Sequence, residues 1–152
     1  MPKRKLKIAL VSSHGGHLTE MLAMWELFSR HDIFYITYDA TTPSGLSPAY
    51  FLKKFHTNPF SFMVALLKTA RILFRERPDV IFSTGAEIAI PVFFLAKALF
   101  RCKLVYLECS AQVTSPSLTG RVVYPITDLF LVQWEGLTAK YGPRAIYKGG
   151  LI

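Results

Sequence analysis

The stretch "KIALVSSHGGHLTEM", residues 7–21, contains the pattern from which the fold prediction starts. Its apolar run stops at two serines, continues as His-Gly-Gly-His, and passes into apolar residues at helical spacing. A short apolar run of this kind is typical of a buried strand, and a glycine pair lets the backbone turn sharply into a helix. We therefore predict a strand, a tight turn and a helix.

The same alternation of short apolar runs and longer helical patterns continues along the 152 residues. The apolar runs predict strands over residues 6–13, 33–38, 79–84, 103–108 and 128–133. The helical patterns predict helices over residues 18–30, 60–77 and 87–100, and a short one within 117–125. Continuously apolar strands separated by helices form a parallel sheet covered on both faces. We therefore predict an α/β fold, with a single Rossmann-like domain over residues 1–152.

The charge balance restricts the classes of ligand. The formal net charge is +8, and basic residues cluster at the N-terminus and within residues 68–77 and 97–103. Such a surface suits nucleic acid, an anionic membrane or phosphorylated substrates. We expect no nucleic acid as a partner, because the sequence carries no helix-turn-helix pair, RNA-binding signature or set of zinc ligands.

The cysteines and the longest apolar stretch indicate where the protein works. Cys102 and Cys109 lie in or beside apolar runs, so we expect buried, reduced thiols and a cytoplasmic compartment. The longest apolar stretch, residues 89–100, is shorter than the ~20 residues of a membrane-spanning helix. We therefore expect the chain to lie on a membrane rather than to cross it.

Ligands of a Rossmann-like domain bind at the carboxyl ends of its strands, and four segments fall there: residues 12–17, 39–47, 84–87 and 108–117. The glycine pair of the first segment would bring bare N–H groups to a helix N-terminus, which attracts phosphate. His17 is then a base or donor aimed at the ligand. The alternative is a turn whose glycines serve conformation alone. No G-x-G-x-x-G fingerprint is present, so no dinucleotide cofactor is predicted.

Two later segments at the carboxyl ends of predicted strands carry further candidate residues. In "STGAEIAIP" the residues Thr84 and Gly85 again lie between a strand and a helix, as a phosphate-binding loop or as a plain connection. Glu108 ends a strand and is predicted to face the cleft, where it could act as a base or bind a sugar hydroxyl. The alternative for Glu108 is a solvated strand end.

The helix predicted over residues 60–77 carries a basic stripe bordered by apolar residues. The predicted membrane-facing residues are Val64, Lys68, Arg71, Ile72 and Arg75. A helix that is apolar over so wide an arc is either deeply buried or laid into a membrane. The basic residues favour the interpretation that this helix lies on a membrane, because an anionic bilayer attracts them. The alternative is a core helix with a solvated basic edge.

Four separated segments together resemble a known family: residues 11–22, "VSSHGGHLTEML"; 77–97, "RPDVIFSTGAEIAIPVFFLAK"; 105–134, "VYLECSAQVTSPSLTGRVVYPITDLFLVQW"; and 147–150, "YKGG". The family is the acceptor-binding, membrane-associated subunit of two-subunit GT-B glycosyltransferases. Its bacterial members serve capsule and exopolysaccharide biosynthesis. A eukaryotic member helps to add the second GlcNAc to the dolichol-linked oligosaccharide. A more distant resemblance is to the N-terminal half of the peptidoglycan glycosyltransferase that forms lipid II.

The resemblance implies an assembly. A GT-B enzyme has two Rossmann-like domains, so this chain would be equivalent to the N-terminal half and a separate donor-binding subunit would supply the other. The chain would bind a lipid-diphosphate-linked sugar acceptor at the cytoplasmic face of an anionic membrane. Carried over by position, Gly15, Gly16 and His17 match the family's first loop.

The second loop of the family matches Thr84, Gly85 and Ala86, and Glu108 matches an acidic residue on the acceptor side. This sequence departs from the lipid II enzyme in having fewer glycines in both loops. The resemblance implies transfer from a nucleotide-sugar with inversion, without a cofactor or catalytic metal. His17 and Glu108 are the candidate catalytic bases, and His17 is favoured because imidazole titrates near neutral pH. A non-catalytic membrane scaffold for a soluble glycosyltransferase is the rival hypothesis.

Overall fold

The computed structural model describes residues 4–39 and 45–151, so Lys3 and part of the predicted loop 39–47 lie outside the described residues. Within those ranges, seven strands form one sheet. The strands are β1 (Lys7–Val11), β2 (Asp32–Tyr38), β3 (Ala49–Leu52), β4 (Val80–Ser83), β5 (Lys103–Leu107), β6 (Leu129–Val132) and β7 (Ala145–Tyr147).

Helices connect most of these strands. They are α1 (Gly16–Ala23), α2 (Trp25–Phe28), α3 (Pro59–Glu76), α4 (Ala89–Leu99), α5 (Leu118–Val123) and α6 (Gly136–Tyr141), with a 3-10 turn at Tyr124–Ile126. All strand pairs are parallel, and the strand order is β3-β2-β1-β4-β5-β6-β7. The order reverses beside β1, which pairs with β2 on one side and β4 on the other. The predicted Rossmann-like parallel sheet is confirmed.

Both faces of the sheet are apolar, because successive residues of the strands are apolar and their side chains alternate between the two faces. In β1, Ala9 and Val11 belong to the core beneath α3, α4, α5 and α6, whereas Ile8 and Leu10 belong to the core beneath α1 and α2. The continuous apolar runs in the sequence thus reflect strands that are buried on two sides.

The structure corrects several predicted elements. The helix predicted over residues 18–30 is interrupted at Met24, and two of its apolar side chains, Leu22 and Trp25, are exposed. The strands β3 and β7 and the helix α6 were not predicted. All three are short, and β3 and β7 are the edge strands of the sheet, so each buries too little apolar surface to leave a clear periodic signal.

The prediction that Ile72 faces a membrane is wrong. Ile72 is only 4% exposed and packs in the core beneath α3, so it faces the sheet rather than a membrane. Val64, Lys68, Arg71 and Arg75 are exposed. No helix within the described ranges is both long enough and apolar enough to span a bilayer.

Candidate functional site

The two glycine-bearing loops interlock at the carboxyl ends of β1 and β4. The Nδ1 atom of His17 lies 2.9 Å from the carbonyl oxygen of Thr84. In return, the Thr84 hydroxyl donates to the carbonyl oxygen of His17 at 2.6 Å. Because a carbonyl oxygen only accepts, Nδ1 carries a proton, and in the neutral imidazole the lone pair is then on Nε2. The imidazole is therefore held in one orientation and one tautomer, as a general base requires.

Gly85 makes room for the His17 ring. A Cβ atom on Gly85 would lie 3.0 Å from both Cε1 and Nδ1 of His17 and 3.3 Å from the Tyr106 hydroxyl. The φ angle of Gly85 is +119°, in the region that favours glycine, and its N–H donates to the Ser83 hydroxyl at 3.1 Å. Ala86 follows with a left-handed φ of 67°. The second loop is thus shaped around the first.

The structure therefore brings together the predicted residues Gly15, Gly16 and His17 with Thr84, Gly85 and Ala86. Gly15 precedes α1 with a φ of +85°, and no side chain caps the N-terminus of this helix. The first N–H groups of an uncapped helix remain available to an anion. At this edge the chain combines a fixed imidazole with backbone donors.

Glu108 faces neither an open cleft nor solvent, so both predicted placements of its side chain are wrong. The residue is 0% exposed. Its Oε2 atom accepts from the Ser117 N–H at 3.1 Å, from the Ser117 hydroxyl at 2.9 Å and from the Tyr141 hydroxyl. Its Oε1 atom accepts from the Cys109 N–H at 3.1 Å. Burial and the Glu108 carboxylate raise the pKa of Tyr141, so this phenol stays protonated and donates. Glu108 therefore anchors the loop over residues 109–117.

A second buried carboxylate was missed by sequence reasoning. Glu20, on α1, accepts from the Ser110 N–H at 3.0 Å and from Gln133 Nε2 at 3.2 Å. Gln133 Nε2 also donates to the Glu108 carbonyl oxygen at 3.1 Å, and its Oε1 accepts from the Leu151 N–H at 3.0 Å. A glutamate on a helix is normally interpreted as solvent-facing, and no nearby sequence signal indicates otherwise. This network joins α1, the loop after β5 and the end of β6.

Cys109 lies beside this network and is partly buried, while Cys102 is buried as predicted. Burial is the main reason that the pKa of the Cys109 thiol is raised, and the nearby Glu20 carboxylate raises it further. The thiol therefore remains protonated and weakly nucleophilic. It has the character of a structural cysteine rather than a catalytic one.

A further polar cluster adjoins the second loop. The Tyr38 hydroxyl, at the end of β2, donates to Glu87 Oε1 at 3.1 Å, and His56 Nδ1 lies 3.6 Å from the same oxygen. Burial, and secondarily Glu87, raises the pKa of Tyr38. These contacts link Glu87 to residues from β2 and from the turn before α3.

A known protein family matches most of this chain. The family described as "Oligosaccharide biosynthesis protein Alg14 like" matches residues 49–151. The chain belongs to the Alg14-like family. The human UDP-N-acetylglucosamine transferase subunit ALG14 is 23% identical over 185 residues, covering 99% of this chain and 85% of the relative. The Saccharomyces cerevisiae ALG14 subunit is 28% identical over 187 residues (99% and 78%), and that of Candida albicans is 40% identical over 93 residues (58% and 42%).

Solved structures of longer proteins share the fold of this Alg14-like chain. MurG of Acinetobacter baumannii superposes with a TM-score of 0.75 at 15% identity, covering 97% of this chain and 46% of MurG. The UDP-N-acetylglucosamine 2-epimerase of Rickettsia bellii gives 0.73 at 14% identity, with the same two coverages of 97% and 46%. The chain thus spans less than half of these proteins and has the fold of the N-terminal half of a GT-B protein.

Proposed function

We propose that this chain is the acceptor-binding, membrane-associated subunit of a two-chain glycosyltransferase. The enzyme transfers a sugar from a nucleotide-sugar to a lipid-diphosphate-linked sugar, in capsule or exopolysaccharide biosynthesis. The observation that carries the proposal is the pair of interlocked loops, with His17 held by Thr84 at the switch point of a half GT-B fold. Membership of the Alg14-like family supports the same conclusion.

His17 is the general base in this proposal. Its Nε2 atom takes the proton of the acceptor hydroxyl while the hydroxyl oxygen forms a bond to the anomeric carbon of the donor. The bond from that carbon to the nucleoside diphosphate breaks, and the diphosphate leaves with the electron pair. The carbonyl oxygen of Thr84, 2.9 Å from Nδ1, stabilises the imidazolium that forms.

The diphosphate of the acceptor is assigned to the uncapped start of α1 and the loop over residues 84–86. Backbone N–H groups at a helix N-terminus bind anions through directed hydrogen bonds and the helix dipole. The net charge of +8 attracts the same group over a longer range. Glu108, Glu20 and Gln133 position the surrounding loop without touching the substrate in this proposal.

The donor site belongs to a partner chain. Proteins with the same fold are about twice as long as this chain, since it covers 46% of MurG, and a second Rossmann-like half would close over the carboxyl edge of the sheet. The relatives are named transferase subunits, which supports a heteromeric enzyme. The assembly would work at the cytoplasmic face of the membrane, with the exposed side of α3 on the bilayer.

The test uses the chain reconstituted with its donor-binding partner on vesicles that contain a lipid-diphosphate-linked sugar. His17→Ala is expected to lower kcat by a factor on the order of 10² to 10⁴ without changing vesicle binding or association with the partner. The matched control is His31→Ala. His31 accepts from the Leu6 N–H at the opposite edge of the sheet, so this variant should retain transfer. Full activity of the folded His17→Ala variant would instead support the non-catalytic scaffold.

A further inference from the structure

The Glu87 side chain lies at the switch point of the sheet and has no role in the mechanism proposed above. Tyr38 is the last residue of β2, and Glu87 follows β4 and the loop over residues 84–86. The hydrogen bond from the Tyr38 hydroxyl to Glu87 therefore links the carboxyl ends of the two strands that flank β1. Ligands of such sheets bind in the crevice at this point.

Two side chains from different elements contact one oxygen of the Glu87 carboxylate. The Tyr38 hydroxyl donates to Oε1 at 3.1 Å, and His56 Nδ1 lies 3.6 Å from the same atom. Tyr38 is buried, its ring packs edge-on against Phe55, and burial raises its pKa, so the phenol stays protonated and fixed in place. Within residues 4–39 and 45–151 no group donates to the other oxygen, Oε2, and the Glu87 side chain is 38% exposed. One oxygen is thus positioned, and the other is available to a ligand.

Left-handed backbone conformations lie on both sides of this contact. His56 has a φ of 37°, and Ala86, the residue before Glu87, has a φ of 67°. Such conformations are costly for residues other than glycine, and they concentrate at binding sites where the surrounding structure holds them. The third non-glycine residue of this kind in the described part of the chain is Arg77, which ends α3. Two of these three costly conformations therefore lie at the Glu87 contact.

A carboxylate beside a phosphate-binding loop can contact only some parts of a ligand favourably. Glu87 would repel a diphosphate, since both groups are anionic. A sugar ring is neutral, and its hydroxyl groups donate to carboxylate oxygens in charge-assisted hydrogen bonds. In the acceptor of the proposed function, the sugar is joined directly to the diphosphate assigned to the start of α1 and the loop over residues 84–86. The sugar is therefore the part of the acceptor that Glu87 can bind.

We propose that Glu87 determines acceptor specificity by accepting, through Oε2, a hydrogen bond from one hydroxyl group of the acceptor sugar. This hydroxyl is a different one from the hydroxyl that His17 deprotonates. Tyr38 and His56 are positioning residues, which contact Oε1 and act on the sugar through Glu87. The inference rests on the proposed function and deepens it, because it adds a contact to the sugar ring to the base and the phosphate loops.

The test combines variants of Glu87 with acceptors that lack one hydroxyl group. The reconstituted pair is assayed with farnesyl-diphosphate-linked glucose, galactose and N-acetylglucosamine. For the best of these, kcat/KM is then measured with each monodeoxy analogue that keeps the hydroxyl receiving the transferred sugar. Wild type should discriminate against one analogue by a factor on the order of 10 to 100, because removing that hydroxyl leaves the Glu87 carboxylate without its donor. Glu87→Ala should reduce this one preference to about threefold or less and leave the other preferences unchanged.

Glu87→Gln is the conservative variant, and it keeps an acceptor for the Tyr38 hydroxyl. It should lower the same preference by less than Glu87→Ala does, because an amide oxygen is a weaker acceptor than a carboxylate. The matched control is Glu26→Ala, which removes an exposed glutamate on α2 and should leave every preference unchanged. A structural role of Glu87 would instead lower kcat/KM for all acceptors by the same factor. That result, or a wild type that uses all the analogues equally well, would overturn the inference.

The same assay distinguishes this inference from the proposed function. A wild-type pair that transfers no sugar to any lipid-diphosphate acceptor would overturn the proposed function. Efficient transfer by wild type, with unchanged preferences in both Glu87 variants, would overturn the contact to the sugar alone.

Discussion

His17 depends for its position on the absence of a side chain at Gly85. The His17 ring occupies the space next to Gly85 where a Cβ atom would lie 3.0 Å from two ring atoms. The hydrogen bond to the Thr84 carbonyl then fixes which nitrogen carries the proton. A glycine in a strand-to-helix turn is a common sequence signal, but here it serves a contact with a residue 68 positions earlier in the chain.

Gly85→Ala tests this dependence at the residue scale. We expect the free energy of unfolding to fall by about 1–3 kcal/mol, because alanine is strained at a φ of +119° and its methyl group would press on the His17 ring. Urea denaturation measures the loss. Gly16→Ala is the matched control, since no heavy atom lies within 4 Å of the added methyl group and the backbone is helical. Equal stability of the two variants would contradict the prediction.

At the scale of elements, α3 divides its surface between two environments. Asn58 caps the helix by accepting from the Phe60 and Ser61 N–H groups at 3.0 and 3.3 Å, and Arg77 ends it in a left-handed conformation. One side packs on the sheet through Ala65, Thr69, Ile72 and Leu73. The other side leaves large apolar residues in solvent, which a helix within a closed core would not do.

The C-terminal end of α3 is tied to two strands through Glu76. The Lys7 ammonium lies 2.5 Å from Glu76 Oε2, and the Tyr50 hydroxyl donates to Oε1. These hydrogen bonds, that of Lys7 foremost, lower the pKa of Glu76 in the folded protein. A lowered folded pKa stabilises the protein above the unfolded pKa, and the stabilisation is lost as pH falls toward the folded value.

We therefore expect Glu76→Gln to flatten the acid limb of the stability profile. At pH 7 the variant should be less stable by about 1 kcal/mol, a modest figure because the Lys7 side chain is about a third exposed. Below the ordinary pKa of a glutamate, the difference from wild type should shrink as pH falls. Denaturant unfolding across pH 3–7 measures both slopes. A difference that stays constant with pH would show that the carboxylate charge is not responsible.

At the scale of the whole molecule, the two faces of the sheet carry different outer surfaces. The α3 side combines exposed apolar residues with Lys68, Arg71 and Arg75, whereas the opposite side exposes apolar residues on α1 and α2, which contain no lysine or arginine. Apolar residues flanked by cations match an anionic bilayer through burial and charge together. The molecule is thus expected to have one membrane-facing side.

Leu67→Glu and Leu27→Glu test this asymmetry as a matched pair. The two leucines are 61% and 60% exposed, on α3 and α2, so the substitutions are chemically equal and differ in the face of the sheet. Leu67→Glu should weaken binding to phosphatidylglycerol vesicles about tenfold or more, because an inserted leucine contributes about 1.5–3 kcal/mol. Leu27→Glu should bind like wild type. Flotation at low and high salt measures the vesicle binding of both variants. Equal weakening in the two variants would contradict the prediction that α3 is the membrane contact.

The sequence predicted correctly those elements whose pattern of apolar residues depends only on neighbouring positions in the chain. β1, β4 and β5 were recognised because their side chains are apolar in succession, and the position of His17 at a strand-to-helix turn followed from this. Glu20 and Glu108 could not be interpreted in this way. Each is buried only because donors from distant residues, such as Ser117 and Gln133, surround its carboxylate.

The alternation of strands and helices, and with it the parallel sheet and the edge where its loops lie, is encoded in local patterns of the sequence. Local periodicity carries that information, because it sets which side chains of one element share a face. Contacts between distant segments were needed to show that His17 binds Thr84, that Glu108 is enclosed, and that Ile72 is covered while Leu67 is not. Those outcomes depend on which neighbouring element covers each face, and packing between distant segments settles that question.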